Sequence, residues 1–474
     1  MKILFIHPPG EWTIGEQIVP HSPYAPPLGI LYLSKILEQN GHDVQVIDFC
    51  AEPLNENKLK REILSSDAVS LTVLTSALEN SIKLSKMVQK FDKDIPLIVG
   101  GPHCSLYPKQ SLLDLNAKVS VEGEGEEVIL DILDAINGKK EFCEIPAIHY
   151  FKEGKIKDGK PPRIIKNLDL IPFPARYHVK DYEYGYVLGS KFAKGNFTAI
   201  ITSRGCQHNC RFCARNFIGM SQYRERSVEN VIKEIKEVIE EGYDSIMILD
   251  DNFLGNQKRV HKIMDMLKRE DLKIELLLQG RCDSAERSMY KKMRDSGVKG
   301  IYFGIESGNQ DILDFYNKGT QLDDIRRAVK LSREMGFFTV GSFILGAPSE
   351  TKQHFENTVQ FSKSLPLDVV AFFTLEYAAG SRLWDKAVAD GKIEPNEYMV
   401  LSDSHRGLSE FTKEEIEAYC KTAHRSFYLR PKYWVDQIIQ STATKNFRLF
   451  KAMIKVAKET MRKKFVSLKP ISED

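Results

Sequence analysis

The sequence has almost no net charge to offer a partner. Its 67 basic and 65 acidic side chains leave +2 on 474 residues, so nothing draws it to nucleic acid in general. It has no apolar run approaching the eighteen or more residues of a membrane-spanning helix. The opening Met1-Lys2-Ile3-Leu4-Phe5-Ile6-His7 reads as a buried strand, too short for the apolar core of a signal peptide, so a cytoplasmic protein is expected. Cysteine is sparse as well. Eight in 474 residues, five of them scattered singly (Cys50, Cys104, Cys143, Cys282, Cys420), do not make a disulfide framework. No second cysteine pair accompanies the remaining three, which a structural zinc site built from two ligand clusters would need.

Those three are the informative feature. Ser203-Arg204-Gly205-Cys206-Gln207-His208-Asn209-Cys210-Arg211-Phe212-Cys213 has the spacing C-x3-C-x2-C, with an aromatic residue before the third cysteine. Three thiolates on one short loop can hold three corners of a cubane iron–sulfur cluster and leave the fourth iron open. His208 could instead complete a four-ligand zinc site. The cluster is the preferred reading on spacing, and an open cluster favours a reducing, oxygen-poor, anaerobic setting.

The rest of the chain alternates strand and helix. Hydrophobic content of 42% and charged content of 28% are those of a globular chain, and the length predicts two or three domains. In residues 1–140 strands are expected at Lys2–Ile6, Val44–Phe49, Ala68–Leu74, Leu97–Val99 and Val119–Val121. Helices are expected at Leu28–Gln39, Ala77–Phe91 and Gly125–Asn137. This is the pattern of a doubly wound, mostly parallel sheet, whose ligands bind at the carboxyl ends of the strands. The loops leaving those ends carry Thr72 to Ser76, then Gly100-Gly101-Pro102-His103, then Glu122-Gly123-Glu124-Gly125-Glu126. Any one of them alone is a tight turn. Residues 141–195, with Pro161-Pro162 and Ile171-Pro172-Phe173-Pro174, read as a connector that packs in part on both domains.

From residue 196 to about 400 six strand–helix units follow, with polar residues after each strand. They predict an open, partial (β/α)6 barrel with its reactive groups at the C-terminal mouth. Ser227 is placed as the N-cap of a helix over Val228–Glu241. Residues 401–474 read as helical, with one helix at Glu414–Tyr428 and a last one at about Lys445–Phe465. In the last, Phe447, Phe450, Ile454, Ala457, Met461 and Phe465 fall on one face, and all but one of the charged residues are basic. Such a helix can lie on an anionic membrane surface. Packing onto the barrel with a solvated basic back is the reading preferred.

The cysteine motif resembles the signature of the radical S-adenosylmethionine (radical SAM) superfamily. The preceding loops resemble the cobalamin (B12)-binding domain of its cobalamin-dependent branch. Phe427-Tyr428-Leu429-Arg430-Pro431 is similar to a segment of the enzymes that include the anaerobic magnesium-protoporphyrin monomethyl ester cyclase, bacteriochlorophyllide methyltransferases and hopanoid-modifying enzymes. The resemblance implies an α/β fold: a Rossmann-like cobalamin-binding domain, a partial TIM-type radical SAM barrel and a helical C-terminal segment. It implies a [4Fe-4S] cluster on Cys206, Cys210 and Cys213, with SAM on the open iron, and cobalamin in the first domain.

Thr72, Leu74, Thr75, Gly100, Gly101 and Glu124 would surround the cobalamin tail, with His103 a polar neighbour. No Asp-x-His-x-x-Gly segment supplies a histidine to cobalt. Asp250, Asp251 and Asn252 would take the methionine amino group, and Gln279 and Arg281 its carboxylate. Glu306 and Ser307 would lie near the ribose and methionine, and Gly346 would pass close to adenine. The implied reaction is C-methylation of an unactivated carbon in a hydrophobic intermediate, tetrapyrrole-like or lipid-like. A low-potential donor such as ferredoxin or flavodoxin would supply the electron. A radical cyclase or ring-rearranging enzyme, and a non-catalytic metal- or cobalamin-binding protein, are the alternatives. Methylthiotransferase activity is disfavoured by the lack of a second set of cluster cysteines in the first domain.

Overall fold

The computed structural model describes residues 1–10, 13–14, 17–18, 24–187, 190–214, 222–444 and 447–462. Five parallel strands open the chain: β1 (Lys2–His7), β2 (Asp43–Asp48), β3 (Ala68–Thr72), β4 (Leu97–Gly100) and β5 (Val119–Val121). Their order in the sheet is β2-β1-β3-β4-β5. In β1 successive residues serve opposite faces. Ile3 and Phe5 join one apolar core, and Leu4 and Ile6 the other. A strand buried on both faces has no polar side to spare, which is why it reads as a continuous apolar run. Helices α1 (Leu28–Gln39) and α4 (Ile129–Ile136) cover the first face, and α2 (Glu56–Leu64) and α3 (Leu78–Phe91) the second. The sequence reading lacks α2, because Leu59 and Ile63 are its only buried residues and the remainder is polar.

Part of the segment read as connector belongs to this sheet. Residues 148–158 form an antiparallel hairpin, β6 (Ile148–Lys152) and β7 (Lys155–Asp158), added beside β5. It pairs backbone groups that the short strand β5 would otherwise expose at an edge. The later connector touches both domains. The Tyr184 hydroxyl donates to Asp48 Oδ2 (2.7 Å) on the first, and Arg176 Nε donates to Thr198 Oγ1 (3.2 Å) on the second.

The second domain is a six-stranded parallel sheet in sequential order: β8 (Phe197–Ile200), β9 (Ser245–Ile248), β10 (Glu275–Gly280), β11 (Val298–Glu306), β12 (Phe338–Leu345) and β13 (Val369–Thr374). The two end strands do not pair with each other, so the barrel stays open as expected. Helices α5 (Val228–Glu240), α6 (Gln257–Arg269), α7 (Arg287–Asp295), α8 (Leu322–Glu334) and α9 (Lys352–Ser364) follow successive strands. Alternate strand residues divide the work. Ile246, Ile248, Leu276 and Leu278 pack against the barrel helices, whereas Ala199, Met247 and Leu277 join the core of the first domain. One apolar interior therefore runs from the Rossmann-like sheet into the open barrel.

Three C-terminal helices, α10 (Lys413–Tyr428), α11 (Pro431–Thr444) and α12 (Phe447–Arg462), cover the open edge. The edge of β13 finds its partners in side chains of α10. Val370 N–H donates to the Tyr428 hydroxyl (3.0 Å), which donates back to Val370 C=O (2.8 Å). Phe372 N–H donates to His424 Nε2 (2.9 Å). This satisfies backbone groups that cannot be left bare when buried. In α12 the buried stripe is Leu449, Ala452, Met453 and Ala457, while Phe447 and Ile454 face outward. The expected stripe is thus rotated, because the helix docks through Arg448 to Glu275 and to the Phe192 carbonyl. The side chains of Glu459, Met461 and Arg462, and residues Lys445, Lys463, Lys464 and Phe465, lie outside the described residues. Among the described residues no helix is long and apolar enough to cross a membrane.

Burial pushes the pKa of His424 down to about 4, so it accepts from Phe372 as the neutral ring. The unfolded histidine titrates near 6.5. Protons therefore bind the unfolded chain first, and the stability that this histidine holds above pH 6.5 should fall as pH drops toward 4. His424→Phe should destabilise the protein by about 1–3 kcal/mol and flatten that part of the pH profile. Denaturant unfolding between pH 4 and 7.5 checks both outcomes.

Candidate active site

The cysteine loop is pinned at its ends and along its back. Ser203–Arg204 pairs antiparallel with Arg224–Glu225, which closes the excursion that begins after β8. Gly205 has φ +80°, a turn that favours glycine. Behind the loop runs the segment Phe315–Thr320. Arg211 N–H donates to Tyr316 C=O (2.9 Å), Asn317 Nδ2 to Asn209 C=O (2.9 Å), and Phe212 packs edge-on against the Tyr316 ring at 5.2 Å. Cys206, Cys210 and Cys213 are each partly buried.

Among the described residues, the His/Cys/Asp/Glu trio with ligand atoms all within 4.8 Å is His7, Asp48 and Cys50, not a set from this loop. The three thiols and His208 are thus not drawn into the tight set that tetrahedral zinc needs. The His7 trio is a satisfied ion pair. The Asp48 carboxylate already takes His7 Nδ1 (2.8 Å), the Tyr184 hydroxyl and the Cys50 N–H (2.9 Å).

A cavity of about 640 Å³ extends from the first domain to the cysteine loop. Thr72, Gly100, Gly101 and Glu124 line it on one side, and Arg204, Cys213, Ala214 and Asp251 on the other. Gly101 has φ +105°, and a Cβ there would come within 3.0 Å of Thr72 Oγ1 and of the Val73 backbone. A side chain there would be strained by that φ and would force these neighbours to give. Leu74 and Thr75, expected beside the cobalamin tail, do not line this cavity, and Leu74 is 39% exposed. His103 does not reach it either. It is buried against Tyr107 and Tyr398, its Nδ1 lies 3.3 Å from Thr75 Oγ1, and burial lowers its pKa to about 4. Glu124 lines the cavity with its charge already engaged. It accepts from Arg204 (2.7 Å), Arg224 (2.8 Å) and Ile165 N–H (2.8 Å), and these donors hold its pKa below the ordinary value against burial.

The residues after β9 do different things. Asp250 is turned back onto the end of β8. It accepts from Thr202 N–H (2.6 Å), Thr202 Oγ1 (2.5 Å) and Ser203 Oγ (2.6 Å), and burial raises its pKa. It is spent on the strand end that launches the cysteine loop. Asp251 faces the cavity. Asn252 is 1% exposed, and neither atom of its amide has a partner. Buried amide atoms without partners are rare in a finished interior, and this pair is available to a polar ligand or a water.

Gln279 sits half-buried in β10 beside Tyr302 of β11. Arg281 binds Asp283, Thr320 and Cys210. Glu306 has φ +69° at a register shift in β11, which turns its carboxylate onto the Lys318 ammonium at 2.7 Å. Ser307 is used locally, with Oγ 3.3 Å from Thr358 and accepting from Asn309 N–H (3.2 Å). Gly346 has φ +108°, and its N–H donates to Glu350 Oε2 (2.6 Å).

Sequence reasoning missed Lys318, Arg204, Tyr316 and Glu350. Lys318 is 7% exposed, and its charge is favoured by Glu306 and Cys210 against the cost of burial. The Tyr316 hydroxyl and Glu350 Oε1 are buried without partners, and burial lifts Glu350 to about 7. A lysine, an arginine or a glutamate in a loop carries no mark in the sequence that its charge will be buried.

Residues 200–362 match the model of the radical SAM superfamily, and residues 22–133 that of the B12 binding domain. The chain belongs to the radical SAM superfamily, in the branch that carries a B12-binding domain. It is 32% identical to an uncharacterized methyltransferase of Pyrococcus horikoshii, over 93% of this chain and 95% of that one. It is 24% identical to the cytidylyl-2-hydroxyethylphosphonate methyltransferase of Streptomyces wedmorensis, over 90% of each. It shares its fold with OxsB, a cobalamin-dependent S-adenosylmethionine radical enzyme solved with aqua-cobalamin bound (TM-score 0.72, 16% identity, 97% of this chain and 80% of that one). The protein is an enzyme whose cofactors are a [4Fe-4S] cluster, SAM and cobalamin. The site suits them: three thiols on one loop, a Gly100-Gly101 pair that brings no Cβ to the cavity wall, and a buried amide without partners next in the chain to Asp251.

A Cβ on Gly100 meets only Val121 Cβ, at 3.6 Å, so the fold tolerates a side chain there. Gly100→Val should narrow the cavity and cut retained cobalamin several-fold with little change in melting temperature. Cobalt per chain after desalting, beside a thermal melt, is the measurement.

Proposed function

We propose that the protein is a cobalamin-dependent radical SAM methyltransferase that methylates an unactivated carbon of a hydrophobic biosynthetic intermediate. The observation that carries this is the shared cavity. Thr72, Gly100 and Gly101 open onto the same space as Cys213 and Asp251. The names of the two methyltransferase relatives support the reaction class. When bound, the three groups supply a carbon-centred radical from SAM and a transferable methyl group.

The protein's own residues bind, orient and enclose. Cys206, Cys210 and Cys213 hold the cluster. Asn252 offers the unused acceptor and donor of its amide, and Asp251 a carboxylate, to the amino-acid part of SAM. Glu306, aimed by its positive φ and paired with Lys318, presents a carboxylate from the end of β11. Gly100 and Gly101 let a bulky group approach the backbone. Glu124, Arg204 and Arg224 tie the two domains together beside the cavity, which keeps water from reactive intermediates.

We place the substrate among tetrapyrrole-like or lipid-like molecules. The resemblance supports this, as do the outward apolar residues at the C-terminal end. Leu429, Val435, Ile438, Ile439, Phe447 and Ile454 are all exposed, and exposed Lys432, Lys451 and Lys458 lie among them. This surface suits contact with anionic lipid. A ferredoxin- or flavodoxin-like protein is the electron donor we assign. A radical cyclase or ring-rearranging activity is the second reading, and it gives a product without the mass of an added methyl group.

Cys206→Ala/Cys210→Ala/Cys213→Ala should abolish 5′-deoxyadenosine formation and leave the far-ultraviolet circular dichroism unchanged. Residual formation in that variant would sink the cluster assignment. The lipid and metabolite extract of cells expressing the gene should contain a species one methyl heavier than in cells without it. The protein should sediment with phosphatidylglycerol vesicles and not with phosphatidylcholine vesicles.

A further inference from the structure

We propose that Arg281 raises the reduction potential of the cluster on Cys206, Cys210 and Cys213 by donating a hydrogen bond to the Cys210 sulfur. The inference rests on the reading of those cysteines as cluster ligands. Arg281 follows β10 and is 6% exposed. Its Nη1 lies 3.6 Å from Cys210 Sγ. Nε and Nη2 are committed elsewhere. Nε donates to Asp283 (3.1 Å), and Nη2 to Asp283 (2.6 Å), to Thr320 Oγ1 (3.1 Å) and to the Lys318 carbonyl. A planar guanidinium clamped by acceptors on its other two nitrogens cannot swing. The nitrogen left over is the one aimed at the sulfur.

This differs from the role expected for Arg281, bidentate pairing with the methionine carboxylate of SAM, because Nε and Nη2 are used within the protein and Nη1 is directed at the sulfur. The reduced cluster carries one more negative charge than the oxidised one. A cationic N–H donor on a ligand sulfur stabilises that extra charge, and hydrogen bonds to sulfur are among the levers that set cluster potentials. Lys318 is a second buried cation near Cys210, but Glu306 compensates it at 2.7 Å. Arg281 is compensated by Asp283 too, yet among the described residues it is Arg281 that donates to the Cys210 sulfur, and that bond is directional. Its place is that of a positioning residue: it acts on the cluster through Cys210 and not on substrate.

The test is an anaerobic redox titration of the reconstituted protein followed by electron paramagnetic resonance, without SAM, with iron and sulfide counted per chain. Arg281→Met should keep wild-type iron and sulfide content and shift the midpoint potential to more negative values, with Arg281→Lys in between. Should Arg281→Met fail to take up iron, Arg281→Gln replaces it. That variant keeps an N–H donor, loses the charge and must also shift negative. An unchanged or more positive midpoint at full cluster content overturns the proposal. So does a large loss of SAM affinity, read by calorimetry, with the midpoint unmoved, since that returns Arg281 to the carboxylate. Wild-type protein that takes up no iron would count against the cluster reading itself.

Discussion

Two carboxylates from the first domain meet two guanidiniums from the second at the rim of the cavity, and the geometry of the site depends on this contact. Glu124 takes Arg204 and Arg224, while Glu126 takes the other end of Arg204. All four side chains are 15% exposed or less. Charges removed from water to this extent are costly unless paired, and loss of one partner from such a set typically costs about 3–5 kcal/mol. Arg204 stands two residues before Cys206, and its guanidinium lies 5.7 Å from the Tyr32 ring centroid. The network that joins the domains therefore also sets where the cysteine loop begins. A second buried set, Arg176 and Arg226 on Glu234, secures the connector to the barrel in the same way.

From that anchor the loop is shaped by its surroundings rather than by its own residues. Its carbonyls and amides bond to Tyr316, Asn317 and Leu383. Asp250 holds Thr202 and Ser203 at its start. Arg281 and Lys318 bring positive charge against Cys210. A loop of three thiolates has strong self-repulsion, and buried cations nearby offset it. Gly101 works differently: its positive φ and its close packing on Thr72 and Val73 set the course of the loop that lines the cavity.

Much of the frame was legible. Leu28–Gln39 appears with the predicted bounds, and Ser227 caps its helix through Asn230 N–H (3.1 Å). Six barrel strands follow one another in sequential order, as the six strand–helix units from residue 196 predict. The hairpin at 148–158 was hidden because its residues have no value as strands until β5 offers an edge. The rotation of α12 was hidden because phenylalanines at helical spacing do not show which of them faces the barrel.

The site divides along the same line. Cys206, Cys210 and Cys213, Gly101 and the run Asp250-Asp251-Asn252 could be named from the sequence because their chemistry depends on spacing or on a missing Cβ, both local properties. What each neighbour does was decided only in three dimensions. Asp250 and Ser307 are consumed by strand ends and helix caps, His103 is packed between tyrosines, and Asn252 keeps an unused amide. The Arg281 bond to Cys210 joins residues 71 apart in the chain, and the Glu124–Arg204 pair joins residues 80 apart. A polar side chain is specific only through the partner it finds. Its type can be read along the chain, but its partner is chosen by the packing that brings distant strands together.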